Sequence, residues 1–80
     1  MTEDEARAAV RAAIGQVAPD VDTEGLDESS RLRQDLELDS LDFLRLIEVL
    51  AQTTGVETPE SDYPMVGTVA ALIGYLAAHG

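Results

Sequence analysis

Apolar side chains recur at helical spacing in three separate stretches of this chain, and nowhere do they alternate as a strand requires. Ala6, Ala9, Val10, Ala13, Ile14 and Val17 make the first stripe. Phe43, Leu46, Ile47 and Leu50 make the second, and Val69, Leu72, Ile73 and Leu76 the third. With 80 residues and no cysteine, the chain has room for one small core and no covalent staple. A stripe of this kind is stable only when it is buried against another. The expectation is therefore an all-α chain with a single domain spanning residues 1–80.

The boundaries of these helices are written in the residues that flank them. Thr2, with Glu5 three positions later, resembles a capping box, and the acids at 3–5 suit the positive end of a helix over 3–17. Pro19 stops that helix. Asp39 is a natural N-cap for a second helix over 40–53, which Gly55 ends. Thr58-Pro59 opens a short turn of helix with Pro59 at its first position, and Pro64 closes it. The last helix runs over 68–79. Residues 18–38 form a long connection rich in Asp, Glu, Ser and Gly, with Leu26, Leu32, Leu36 and Leu38 pinning it to the core.

Charge narrows the function. Sixteen acids face five arginines and no lysine, for a formal net charge of −11. Such a surface repels nucleic acid and anionic membrane and favours partners with positive surfaces. No apolar run reaches the length of a membrane span, and the acidic N-terminus is unlike the basic head of a signal peptide. These features lead to the expectation of a cytoplasmic protein. The hydrophobic share of 45% is that of a folded domain, not of an acidic tail.

Two chemistries fail on inspection. Asp20, Asp22, Glu24 and Gly25 match the opening of a calcium-binding EF-hand loop. The twelfth position is Arg31, where a bidentate glutamate is required, and the eighth is Asp27, where an apolar residue belongs. A solvated acidic loop is the better reading, and no metal site is expected. Hydrolysis fares no better. Ser40 lacks the G-x-S-x-G elbow, and His79, the one histidine, reads as a solvated cation at a helix C-terminus. No catalytic residue is expected.

The segment Asp35-Leu36-Glu37-Leu38-Asp39-Ser40-Leu41-Asp42 stands out. It places Ser40 at the first helical position, where unpaired N–H groups and the helix dipole favour a phosphate. Read from these residues alone, an ordinary cap and a modification site fit equally well. On the second helix, Leu41, Leu44, Arg45 and Glu48 fall opposite the core stripe, on a face that is mixed and partly apolar.

The pattern D-L-x-L-D-S-L-D opening an apolar helix resembles the attachment motif of acyl carrier proteins. Gly55-Val56-Glu57-Thr58-Pro59-Glu60-Ser61-Asp62 looks like the short third helix of that family. Thr68-Val69, with Ala71, Ile73, Tyr75 and His79, looks like its last helix. The resemblance is close over about residues 30–80, and the first helix fits by length and pattern.

It implies a right-handed four-helix bundle with a long first loop and a short third helix. It implies that a phosphopantetheinyl transferase joins a 4′-phosphopantetheine arm from coenzyme A to Ser40, between Asp39 and Leu41. The arm would carry acyl groups as thioesters, and the carrier itself would not be an enzyme. Acyl-loading and acyl-processing enzymes with basic surfaces would recognise the second helix through Asp39, Leu41, Asp42, Leu44, Arg45 and Glu48. A free-standing carrier is expected, since the chain begins at Met1 and stops just after the last helix, and a monomer is expected as well.

Peptidyl carriers usually have glycine and histidine before the serine. Leu38-Asp39 favours the acyl branch, with the peptidyl branch and an unloaded interaction module as alternatives. The second helix departs from the housekeeping fatty-acid type, which has an acid at the place of Arg45, an apolar residue at Glu48, and acids near Ala51 and Gln52. Phe43 is bulky where the family is often small. These departures lead to the expectation of a specialised fatty-acid, polyketide or other secondary-metabolite pathway. The lysine-free, Ala- and Arg-rich composition is compatible with a GC-rich bacterial source.

Overall fold

A computed structural model describes all of residues 1–80. It contains helices α1 (Glu3–Val17), α2 (Ser40–Thr54) and α3 (Val69–His79), with a short 3-10 helix at Glu60–Met65 before α3. The three stripes read from the sequence meet in one core, with α1 packed against both α2 and α3. Val10, Ile14, Leu46, Leu50, Leu72 and Leu76 are among its largest wholly buried members. Phe43 is only half-buried at its edge. No helix is long and apolar enough to cross a membrane.

The caps form as the sequence predicts. Thr2 and Glu5 close a reciprocal capping box on α1, and Gly55 ends α2 at a φ of 76°, a left-handed conformation open to glycine at little cost. The short third helix differs from expectation. Pro59 is its N-cap and not its first residue, and Pro64 lies inside it and does not end it. The reason is that this element is a 3-10 helix of one to two turns. Proline's fixed φ near −65° suits that geometry, and so short a run has few amide bonds to lose.

The connection between α1 and α2 is ordered, although it is neither helix nor strand. Leu26, Leu32 and Leu38 are buried and Leu36 is half-buried, so all four leucines do pin it down. Its backbone groups are satisfied by the start of α3. Val69 and Ala70 donate their amides to Ser30 and Glu28, and Leu32 donates to the carbonyl of Gly67. One isolated antiparallel bridge, Arg31 to Thr68, marks this seam without making a strand. Loop carbonyls thus answer amides that a helix N-terminus otherwise leaves open.

At the far end of the seam, the Arg7 guanidinium donates to Glu28 while also pairing with Glu3 and Asp4. The loop is thereby held to α1 as well as to α3. Tyr75, on α3, donates its hydroxyl to Asp62 at 2.8 Å and so fastens the 3-10 helix. This carboxylate favours the protonated phenol and raises its pKa above the ordinary value of 10.0.

Candidate functional site

Ser40 is the first residue of α2, and its side chain is exposed. Two aspartates fix the turn around it. The Asp42 amide donates to the Asp39 carboxylate at 2.8 Å, and the Asp39 amide donates back to the Asp42 carboxylate at 3.4 Å. The Asp39 carbonyl accepts the first backbone bond of the helix, from Phe43 at 2.9 Å. The amides of Ser40 and Leu41 keep no partner within the helix. The serine hydroxyl is therefore displayed on a rigid first turn and does not take part in capping.

A second group reaches this hydroxyl from the loop. Arg33 donates from Nη2 to Ser40 Oγ at 3.1 Å. Glu37, between them in sequence, takes a φ of 58°, a left-handed conformation that a residue with a side chain adopts at a cost. That turn redirects the chain just before α2. An open groove of about 420 Å³ leads away from Ser40, with Phe43 and Leu44 on the α2 side and Tyr63 and Pro64 on the 3-10 helix. Phe43 and Tyr63 meet edge to face across it, with ring centroids 5.2 Å apart. This contact ties the groove's two walls together.

The outer face of α2 is open. Leu41 is 71% exposed and Leu44 46% exposed, and Met65 on the neighbouring 3-10 helix is 65% exposed. Arg45 is exposed and has no carboxylate within ion-pair distance. Glu48 is exposed and accepts a long bond from Gln52 at 3.5 Å.

The other sequence candidates lie elsewhere. Asp22 accepts from the amides of Glu24 and Gly25, forming a local turn, and no cluster of three ligand-type side chains occurs. His79 stacks on Tyr75 in the last turn of α3, with centroids 4.2 Å apart. Arg33, Tyr63 and Met65 are the site neighbours that sequence reasoning missed. Each reaches the site through the path of a loop or short helix, which no local pattern encodes.

The same arrangement of elements is found in known proteins. A family model described as the phosphopantetheine attachment site matches residues 8–76. An acyl carrier protein of Rubrobacter xylanophilus is 37% identical over 60 residues, which cover 69% of this chain and 74% of that protein. One of Lactobacillus johnsonii is 30% identical over 59 residues, covering 74% of each. The solution structure of an Anaplasma phagocytophilum protein assigned as an acyl carrier protein is 27% identical, covers 98% of this chain and 91% of that one, and has a TM-score of 0.83. The acyl carrier protein from Enterococcus faecalis, at 22% identity and a TM-score of 0.82 over the whole of both chains, shares the fold. The chain belongs to the acyl carrier protein family, whose members are carriers and not enzymes and hold 4′-phosphopantetheine covalently.

Proposed function

We propose that Ser40 is the residue that receives the arm, and that the loaded chain carries acyl intermediates for a dedicated set of enzymes. The observation that carries this reading is the setting of the hydroxyl. Ser40 Oγ is exposed on a capped first turn with a guanidinium at 3.1 Å, whereas Ser29 Oγ donates to the Asp27 carboxylate at 2.7 Å. A phosphate ester suits the first environment and is repelled by the second.

The residues present fit the group. Arg33 offers charge-assisted donors to a phosphodiester, the start of α2 offers its dipole and free amides, and the groove beyond offers an apolar wall. In loading, Ser40 Oγ forms a bond to the phosphorus that bears pantetheine in coenzyme A. The pyrophosphate bond breaks, adenosine 3′,5′-bisphosphate leaves, and the hydroxyl proton passes to a base on the transferase. Asp39 and Asp42 hold the turn still while this occurs. Once attached, the arm supplies a terminal thiol that carries acyl groups as thioesters.

Leu41 and Leu44 give partners an apolar contact on α2, with Asp39, Asp42, Arg45 and Glu48 as charged neighbours. Apolar anchors supply most of the affinity of such contacts, and exposed charges supply discrimination. The pairing of one cation with acids on this face supports partners other than housekeeping fatty-acid enzymes, in a specialised fatty-acid, polyketide or other secondary-metabolite pathway.

Incubation with coenzyme A and a broad-specificity phosphopantetheinyl transferase, followed by intact-protein mass measurement, tests the reading. A gain of one arm per chain is expected. A mass unchanged after exhaustive incubation contradicts it.

A further inference from the structure

Of the five arginines, only Arg33 and Arg45 lack an ion pair, and of these two only Arg33 bonds the Ser40 hydroxyl. Arg7 pairs with Glu3, Asp4 and Glu28, Arg11 lies near Glu28, and Arg31 pairs with Asp35. Arg33 has no carboxylate within ion-pair distance, in a chain where acids outnumber bases sixteen to five. Its one side-chain partner is a neutral hydroxyl, Ser40 Oγ. A guanidinium has five N–H donors, and a single neutral acceptor leaves most of them available.

Its position is set by the loop and not by that weak bond. Leu32, the preceding residue, is wholly buried. The Leu32 amide donates to Gly67 at 2.9 Å, and its carbonyl accepts from Leu38 at 3.3 Å. The next acid along, Asp35, is turned back onto the Arg31 amide and guanidinium and so is drawn away from Arg33. The fold thus delivers an unpaired cation to the serine hydroxyl that lines the groove.

We propose that Arg33 is a positioning residue that binds the phosphodiester joining the arm to Ser40. This rests on the reading that Ser40 is the attachment residue. At neutral pH a phosphodiester brings one negative charge to a turn already flanked by Asp39 and Asp42. The guanidinium offsets that charge and replaces one neutral bond with charge-assisted ones. The contact fixes the first atoms of the arm on the groove side of Ser40, away from Asp39.

The test uses the full chain as wild type, Arg33→Ala and Arg33→Lys, each unloaded and loaded, with loading verified by intact mass. A wild type that takes no arm overturns the Ser40 reading and this proposal with it, whereas a loaded wild type leaves the Arg33 contact to be decided by the comparisons that follow. Among unloaded proteins, the three should melt within about 1 °C of one another, because an exposed side chain with one neutral bond contributes little. Loading should then raise the wild-type Tm relative to loaded Arg33→Ala by about 3 °C at low salt, with Arg33→Lys between them. The phosphodiester 31P resonance should differ between wild type and Arg33→Ala at low salt and converge near 1 M salt. Should Arg33→Ala resist loading, Arg33→Gln takes its place in the comparison. Equal loading shifts in Tm together with coincident 31P resonances at every salt concentration would overturn the proposal.

Discussion

Asp39 and Asp42 cap each other's backbone across the first turn of α2, at 2.8 Å in one direction and 3.4 Å in the other. The two bonds are unequal, so the two substitutions should be unequal too. Asp39→Ala removes the short bond and should lower stability by about 1 kcal/mol, a shift of roughly 4–8 °C in Tm for a domain of this size. Asp42→Ala removes only the long bond and should cost less. Thermal melts of the two variants check this, and an equal or reversed order would show that the turn is held by something other than this reciprocal cap.

Acid should release the loop from α1. The Glu28 carboxyl is held below its ordinary value of 4.5, chiefly by the hydrogen bond from Arg7, against burial, which acts to raise it. A carboxyl with a lowered folded-state pKa stabilises the fold above its unfolded value and loses that contribution as pH falls through the lowered one. Glu28→Gln should therefore melt below wild type at pH 7, and the gap should close as the pH falls well below 4.5. The measurement is a pair of Tm-against-pH curves. A gap that widens in acid would reverse the sign of the account.

Arg45 is a cation on a face expected to meet basic enzymes, and no carboxylate lies within ion-pair distance of it. Arg45→Glu should increase acyl or malonyl transfer with a housekeeping ketoacyl synthase or malonyl transferase, by up to about tenfold at low salt. The gain should shrink as salt is added, since screening acts most strongly on exposed charges. Transfer rates for both variants at two salt concentrations measure it. Unchanged rates would reduce Arg45 to a solvated side chain.

How much of this was legible in the sequence depends on whether a feature is local. The helices were, because apolar spacing and caps such as Thr2–Glu5 and Asp39 act within one turn. The place of Ser40 at the exposed start of α2 was, because it is written in the residues on either side. The bond from Arg33 was not. It joins residues seven apart, and its existence depends on where buried Leu32 fastens the loop. The Tyr75–Asp62 and Phe43–Tyr63 contacts were hidden for the same reason, since each joins α2 or α3 to a short helix whose orientation is a tertiary outcome. Glu37 gave no hint of its left-handed backbone, a conformation that glycine or asparagine more often signals. Pro64 misled because the rule that proline ends a helix belongs to longer α-helices, not to a 3-10 turn.

The central claim is that one hydroxyl, Ser40, takes the arm. Ser40→Ala, incubated with coenzyme A and the transferase beside wild type, tests it most directly. Ser40 is exposed and its hydroxyl caps nothing, so the variant should retain the wild-type helical circular dichroism. Intact-protein mass should show one arm on wild type and none on Ser40→Ala. An alanine variant that is still folded and still gains the mass of one arm would contradict the account.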